Sequence, residues 1–178
     1  MKKLAIPFLI FSLAAIIGHW GALKLTPTVI MGKAMHQMND KGMPFHRFVP
    51  SQRITPQTQT VVRPSPDLAY SICLYDFSII DVPLEIHAGF WKDYGSISFF
   101  DEHTNNFATV RIDAKVSKIL LSPHGMALPS NRKNGMQYIE TPTPRGLILI
   151  RRLAPTSQAY DRVSQLANTD KCQPMFDL

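Results

Sequence analysis

The apolar positions divide the chain into a continuous hydrophobic segment at the N-terminus and a longer region of short, alternating stretches. The segment Leu4–Leu23 has no charged residue and follows Lys2 and Lys3. A helix of that length spans about 30 Å, the hydrocarbon thickness of a bilayer. Trp20 near its end is typical of a membrane interface, whereas signal-peptide cleavage requires small residues. We expect residues 1–24 to be a retained anchor, with a cleaved signal as the alternative.

A second helical pattern follows the anchor. Thr26 and Pro27 are typical of a helix start, because threonine caps free amides and proline fits the first turn. Gly42 is typical of a helix end. The pattern predicts a short amphipathic helix and then a linker, so that residues 25–60 connect the anchor to a folded domain starting near Val61. The apolar residues at helical spacing are Ile30, Ala34, Met35 and Met38.

Residues 61–178 have the pattern of a β-domain, because β-branched and aromatic residues fill short stretches that turn residues separate. Leu147–Ile150 is apolar on both sides, which predicts a central strand covered on both faces. An amphipathic helix is predicted after Pro155, ending near Asn168. The predicted strands are Ala69–Phe77, Leu84–Ala88, Ser96–Asp101, Phe107–Ile112, Lys118–Leu121, Gln137–Glu140 and Gly146–Leu153.

Short strands at intervals of about ten residues, followed by one helix, are typical of β-sandwiches and related folds. We therefore predict a mainly β fold: an antiparallel β-sandwich or jelly-roll-like domain with an N-terminal transmembrane helix and a C-terminal helix.

The charge distribution bears on partners and topology. The formal net charge is +6, but the basic residues are scattered along the sequence. Because no block of like charge is present, we do not expect nucleic acid as a partner. A short, positively charged N-terminus before an apolar run favours export of the C-terminal domain.

Cys73 and Cys172 are the only cysteines in the sequence. In an exported domain they can form a disulfide, and a bridge closing a loop of about 100 residues stabilises by about 4.7 kcal/mol in the chain-entropy model. Two buried thiols are the alternative. Their spacing is not that of a zinc motif.

Asp101 and His103 are the main candidates for chemistry. On a strand both side chains point to the same side, and in a folded sheet His87 could approach them. A carboxylate with imidazoles can bind a divalent metal such as zinc or iron. The alternative is a structural turn at a strand end, which also applies to Asn105, a candidate contact residue whose side chain readily bonds nearby amides.

Phe90, Trp91 and Tyr94 form an aromatic group in a predicted hairpin loop. Such side chains line contacts with proteins, apolar ligands or sugars, and packing in the core is the alternative. The sequence contains no nucleophile elbow, phosphate loop or HExxH motif. We therefore expect a binding protein rather than an enzyme.

Several short sequence blocks, each present once, follow one another along the chain in a characteristic order and spacing. They are Arg63-Pro64-Ser65-Pro66-Asp67-Leu68-Ala69-Tyr70-Ser71, Tyr75-Asp76, Tyr94, Ser98-Phe99-Phe100-Asp101, Thr104-Asn105-Asn106-Phe107, Arg145-Gly146-Leu147 and Arg151-Arg152-Leu153. Together they resemble the bacterial domain of unknown function 1254 family, in its small membrane-anchored branch. The longer fused members usually have proline-asparagine where this chain has Ser65-Pro66, so an activity proposed for those members does not transfer directly.

The resemblance implies a β-sandwich-like fold, a location in the bacterial inner membrane with a periplasmic domain, and a partner. In that family the domain often lies beside a second domain of unknown function, numbered 1214. Because this chain has no such domain, the resemblance implies a 1214-type partner protein from a neighbouring gene. The resulting hypothesis is an anchored envelope protein whose β-domain binds this partner or an apolar ligand. The alternatives are a metal-assisted hydrolase, or half of one, and a carbohydrate-binding module.

Overall fold

The computed structural model describes residues 2–55, 57, 64–113, 118–126 and 136–175. The domain start expected at Val61 lies outside these residues. Phe48, well upstream of that position, is buried in the core of the domain. The folded body therefore includes part of the segment that we expected to be a linker.

Helix α1 (Lys2–Asp40) is continuous through Pro7 and Pro27. The separate helix start predicted at Thr26 is therefore wrong. The Thr26 hydroxyl donates to the Ala22 carbonyl, 2.6 Å away, one turn earlier in the same helix. Pro27 removes one backbone donor, but packing of the following turns against the domain holds the helix together.

The N-terminal part of α1 is exposed. The helix is long and apolar enough to cross a membrane over Ile6–Asp40, and none of its most apolar stretch is buried. Lys24 Nζ lies 5.4 Å from the centre of the Trp20 ring. A cation and an amphipathic aromatic ring are both typical of the membrane interface.

Gly42 terminates α1, as the sequence predicts. Its φ is +88°, a left-handed conformation that glycine adopts without a steric penalty. The Met43 amide donates to the Met38 carbonyl at 3.0 Å, and the Gly42 amide donates to the Asn39 carbonyl at 2.9 Å. These two bonds form a Schellman motif, which turns the chain back onto the domain.

Two sheets form the domain. Sheet I has the strand order β1-β2-β8-β4-β5, and sheet II has the order β7-β6-β3-β9. The seven predicted strands correspond to β2–β8, with ends that differ by no more than two residues. The bounds are β1 Val49–Pro50, β2 Leu68–Asp76, β3 Leu84–His87, β4 Gly95–Asp101, β5 Asn106–Arg111, β6 Ile119–Pro123, β7 Gln137–Thr141, β8 Arg145–Leu153, α2 Ser157–Ala167 and β9 Lys171–Pro174.

The two sheets pack face to face, which confirms the mainly β sandwich class. Their inner faces share one apolar core, and a disulfide joins Cys73 in β2 to Cys172 in β9. One pair departs from the predicted antiparallel arrangement, because β6 and β7 are parallel.

Strand β8 is central, as predicted. It pairs with β2 on one side and β4 on the other. Ile148 and Ile150 are fully buried in the core between the sheets, whereas Leu147 packs on the outer face in the cluster that α1 contributes to. Because side chains alternate along the strand, one face of β8 packs in the core between the sheets and the other packs in the cluster with α1.

The C-terminal part of α1 crosses the outer face of sheet I. Thr28 Oγ1 lies 2.7 Å from His103 Nδ1 in the β4–β5 turn. Further along the helix, Met35 shares a buried cluster with Leu74 of β2. The helix therefore passes first the β4–β5 side of the sheet and then β2, along the strand order and across the strands.

Helix α2 packs at the end of the sandwich, beside the start of β2. Its predicted start is confirmed, since the Thr156 hydroxyl accepts the Ala159 amide at 3.1 Å. Ala159 and Val163 are buried in a cluster with Ala69 and Trp91. This cluster places α2 beside the loop that connects β3 to β4.

Candidate functional site

The β3–β4 connection, residues 88–94, presents the aromatic side chains that the sequence singled out; we call it the aromatic loop. Phe90 is 54% exposed and Tyr94 is 44% exposed, whereas Trp91 is only 8% exposed. The three predicted contact residues therefore differ in exposure. Phe90 and Tyr94 are accessible to a partner, and Trp91 packs against α2.

A buried ion pair fixes the start of the aromatic loop. Arg152 at the end of β8 contacts Asp170 with two nitrogens, at 2.6 and 2.8 Å, and both side chains are at most 1% exposed. Arg152 also donates to the Gly89 carbonyl at 3.0 Å, and the Gly89 amide donates to Asp170 at 2.9 Å. The pair thus holds both backbone groups of Gly89.

The packing around position 89 favours glycine. A Cβ there would lie 2.6 Å from the Thr169 hydroxyl oxygen and 2.7 Å from a Leu166 methyl carbon. The absence of a side chain allows the loop to contact the turn that follows α2. The loop is therefore packed against the domain on one side and exposed on the other.

The end of the aromatic loop is tied to Leu153. The Trp91 indole N–H donates to the Leu153 carbonyl at 2.9 Å, and the Leu153 amide donates to the Tyr94 carbonyl at 2.8 Å. The Tyr94 hydroxyl donates to the Ser96 hydroxyl at 3.0 Å. The Trp91 indole and the Tyr94 hydroxyl thus support the loop, and its exposed surface consists of the Phe90 and Tyr94 rings together with Lys92 and Asp93.

Sequence reasoning missed Arg152, although a signal was present. Alternation in β8 places residue 152 on the same inner face as Ile148 and Ile150. A buried arginine requires an acidic partner. Asp170, which follows α2, supplies it, but only the folded topology brings the two together.

At the opposite end of β4, residues 101–105 form the turn that we call the acidic turn. Asp101 is 3% exposed. Its carboxylate accepts the His103 and Asn105 amides, each at 2.8 Å, and the Asn105 side-chain amide at 2.9 Å. Thr104 has a φ of +66°. The Asp101 carboxylate therefore organises a tight turn, as expected for such a residue at a strand end.

The three candidate metal ligands do not meet. His103 lies in the acidic turn beside α1, whereas His87 ends β3 opposite Lys171 of β9, next to the aromatic loop. The length of β4 separates the two ends by about 20 Å. Within the part of the chain that the structure describes, no group of three His, Cys, Asp or Glu side chains could hold a metal.

Tyr75 connects the two sheets close to the acidic turn. Its hydroxyl donates to the Phe100 carbonyl at 3.1 Å and lies 2.9 Å from the Thr141 hydroxyl oxygen. Burial raises the pKa of the Tyr75 phenol well above its usual value. A Cβ at Gly146 would lie 2.1 Å from the Phe100 carbonyl oxygen and 2.4 Å from the Tyr75 hydroxyl oxygen, so glycine makes room for this bridge.

A cavity of about 240 Å³ lies between α1 and the strand ends of sheet I. Its polar side chains have partners: His36 Nδ1 lies 2.6 Å from an Asp40 oxygen, and Arg145 Nε lies 3.6 Å from a Glu102 oxygen. The Asp76 carboxylate accepts the Ser78 amide at 2.8 Å. The volume is below the usual range for drug-sized ligands. We regard this cavity as the packing boundary between anchor and domain.

Comparisons with known proteins agree with the sequence resemblance. The family described as protein of unknown function (DUF1254) matches residues 45–174. A comparison with curated proteins found no significant match. The structural match to the VPA0106 protein from Vibrio parahaemolyticus has a TM-score of 0.64 at 8% identity, covering 86% of this chain and 36% of that chain.

A second structure, an uncharacterised protein from Burkholderia cenocepacia, aligns with a TM-score of 0.45 at 12% identity and covers 88% of this chain and 40% of that one. The chain therefore spans less than half the length of the structures it resembles. The first likeness shows the fold alone.

Proposed function

The chain belongs to the DUF1254 family of proteins of unknown function, and we propose that it is a membrane-anchored envelope module that binds a partner protein through its aromatic loop. The observation that carries this proposal is the pairing of exposed aromatic side chains with a rigid frame. Phe90 and Tyr94 are exposed, while a buried ion pair and the Leu153 contacts hold the loop.

Rigid, exposed aromatic residues are suited to binding. Aromatic side chains dominate the binding energy of many interfaces. A loop that is already ordered loses little conformational entropy when a partner docks. Phe90, with more than half of its surface exposed, is the expected anchor of the interface.

The proposed partner is a 1214-type domain on a separate chain. Two findings support a second unit as the partner. The chain covers 36% of the VPA0106 protein, which leaves 64% of that longer protein unmatched. The family resemblance also implies a 1214-type domain beside this one. A neighbouring gene is the expected source of that domain.

The same proposal places the domain outside the cytoplasmic membrane. Its support is the Cys73–Cys172 disulfide, because disulfides persist in oxidising compartments such as the periplasm. Denaturing whole cells in the presence of a thiol-reactive polymer tests this point. We expect no mass shift before reduction and a shift for two cysteines after it. Free thiols in the cell would remove the support for export.

The test of binding uses the full-length tagged chain, produced together with the neighbouring 1214-type protein and extracted in mild detergent. The intact mass of the complex should equal the sum of the two chains. Phe90→Ala should weaken the complex at least tenfold, since hot-spot residues contribute about 2 kcal/mol or more. Ile79→Ala is the matched control, because Ile79 is a 62% exposed apolar residue in another loop.

Two outcomes would overturn the proposal: absence of any complex, or equal affinity of the wild type and the Phe90→Ala variant. The other two hypotheses have weaker support. The metal hypothesis lacks an assembled ligand set among the described residues. The carbohydrate hypothesis is based on the same aromatic loop and the β-sandwich fold, and Trp91, the loop residue chosen for its test, is buried.

A further inference from the structure

The acidic turn lies next to the membrane-spanning part of α1. Thr104 lines a groove of about 430 Å³ together with His19, Ala22 and Leu23 of the helix. These helix residues belong to the end of the apolar segment, where Trp20 and Lys24 mark the interface. The β4–β5 side of sheet I therefore lies at the level of the bilayer surface.

The strand order then fixes which edge faces the membrane. The helix leaves the bilayer, passes the β4–β5 turn at Thr28 and reaches β2 about one to two turns later, at Met35. Since sheet I has the order β1-β2-β8-β4-β5, β5 is the strand nearest the bilayer. β1 lies four strand spacings further away, about 19 Å.

Strand β5 is the last strand of sheet I in the part of the chain that the structure describes. The Ile112 amide donates to the Gly95 carbonyl, so the antiparallel pattern directs the amides of Val110 and Ala108 towards β4. The amides of Thr109 and Arg111 then point away from the sheet. Among the residues that the structure describes, no strand pairs with this side of β5, and exposed edges are normally blocked or covered.

We propose that the free edge of β5 docks on the phosphate groups of phospholipid headgroups in the membrane that α1 spans. This inference rests on the proposed anchoring of the chain. The outward amides of Thr109 and Arg111 are donors, and the exposed Arg111 guanidinium matches phosphate in charge and geometry. Headgroups within reach of these donors take the place of a neighbouring strand.

Spin labels on the full-length chain in nanodiscs of phosphatidylethanolamine and phosphatidylglycerol test this arrangement. Single cysteines replace Thr109 at the β5 edge, Gln52 beyond β1 and Ala14 in the anchor. The native cysteines are bonded to each other and buried, so they do not take the label. Power saturation with oxygen and with a water-soluble nickel chelate gives the depth of each label.

We expect the label at residue 109 within about 5 Å of the lipid phosphate plane, one strand spacing, and the label at residue 52 about 19 Å further into the water. Arg111→Gln should raise the nickel accessibility of the residue 109 label at least twofold. Arg162→Gln is the control, because Arg162 is exposed on α2 and should leave that accessibility unchanged.

Equal nickel accessibility at residues 109 and 52, with the label at residue 14 inside the hydrocarbon, would overturn the docking of β5 and leave the anchor intact. A residue 14 label in water would overturn the anchor and the docking together. If the Thr109 variant does not fold, a label at Asn106 on the same strand gives the same readings.

Discussion

The two ends of strand β4 show opposite uses of polar and aromatic groups. At one end, the acidic turn uses Asp101 to bind its own backbone amides, and it contacts α1 through His103. At the other end, the aromatic loop is bonded to the domain through Gly89, Trp91 and Tyr94 and leaves Phe90 exposed. The Asp101 carboxylate is therefore structural, and the aromatic loop presents exposed ring surface.

The buried Arg152–Asp170 ion pair positions the aromatic loop. Arg152 and Asp170 lie under the aromatic loop and contact no solvent. A buried ion pair contributes little net stability relative to an apolar pair of similar volume, yet losing one partner is costly. The pair thus acts mainly to define the position of Gly89, and through it the direction of the loop.

The largest expected effect comes from breaking that pair. Asp170→Ala leaves the Arg152 guanidinium buried without its partner, and the free energy of unfolding should fall by about 3–5 kcal/mol. Urea denaturation of the full chain in mild detergent measures this change. The double variant Arg152→Met/Asp170→Leu should lose much less. A loss below about 1 kcal/mol for Asp170→Ala would contradict the role assigned to the pair.

The sequence predicted seven of the strands, including the edge strands β5 and β7, but not the short edge strands β1 and β9. Strands β2–β8 carry strong apolar or alternating patterns, and hydrophobic periodicity is enough to locate them. The short strands β1 (Val49–Pro50) and β9 (Lys171–Pro174) each contain a proline and few apolar residues. Their pairing depends on the tertiary fold that brings β2 and β3 alongside, so local sequence carries little sign of it.

The candidate site was predictable only in part. The aromatic loop was identified from composition, but alternation does not apply in a loop, so exposure of Phe90 and burial of Trp91 could not be distinguished. The helix break predicted at Pro27 was wrong because local propensity was outweighed by packing, with Met31 and Met35 buried against the domain. Propensity is a weak prior where tertiary contacts exist.

A second test concerns the acidic turn. Asp101→Ala removes the acceptor of three N–H groups, and hydrogen bonds to a charged group contribute about 1.5–3 kcal/mol. The unfolding free energy should fall by about that amount, measured by urea denaturation. Asp101→Asn retains one acceptor oxygen and should lose less. Equal losses for the two variants would show that the carboxylate does not organise the turn.

The metal content of the same preparations tests whether the acidic turn binds a metal. If the acidic turn is purely structural, elemental analysis should give the same metal content for the wild type and for His103→Ala. Metal that is present in the wild type and lost in His103→Ala would instead assign ligand chemistry to this end of β4.

Glycine substitutions compare the packing at the two ends. Gly146→Ala places a Cβ against the Phe100 carbonyl, which is backbone, whereas Gly89→Ala meets side chains of Leu166 and Thr169. We expect Gly146→Ala to cost about 1–3 kcal/mol and Gly89→Ala to cost less, because side chains can move. Thermal unfolding in detergent measures both. Gly32→Ala, where a Cβ meets nothing within 4 Å, is the control without a clash, and it should stabilise slightly because Gly32 lies inside a helix.

The smallest effect is a pH dependence near the acidic turn. His46 Nε2 accepts the Asp76 amide at 3.1 Å, and burial lowers the pKa of His46 below 6.5. The folded state therefore binds this proton less readily than the unfolded state. The stabilisation is complete above pH 6.5 and is lost as the pH falls through the lowered pKa.

We accordingly expect the urea midpoint to fall modestly between pH 7.5 and pH 5.5, and His46→Asn to reduce that slope. Asparagine is the suitable replacement because His46 has a φ of +59°, a conformation that asparagine tolerates. An unchanged slope in His46→Asn would assign the pH dependence to another group. A reduced slope would show that the β2 side of sheet I responds to protonation through the His46 to Asp76 hydrogen bond.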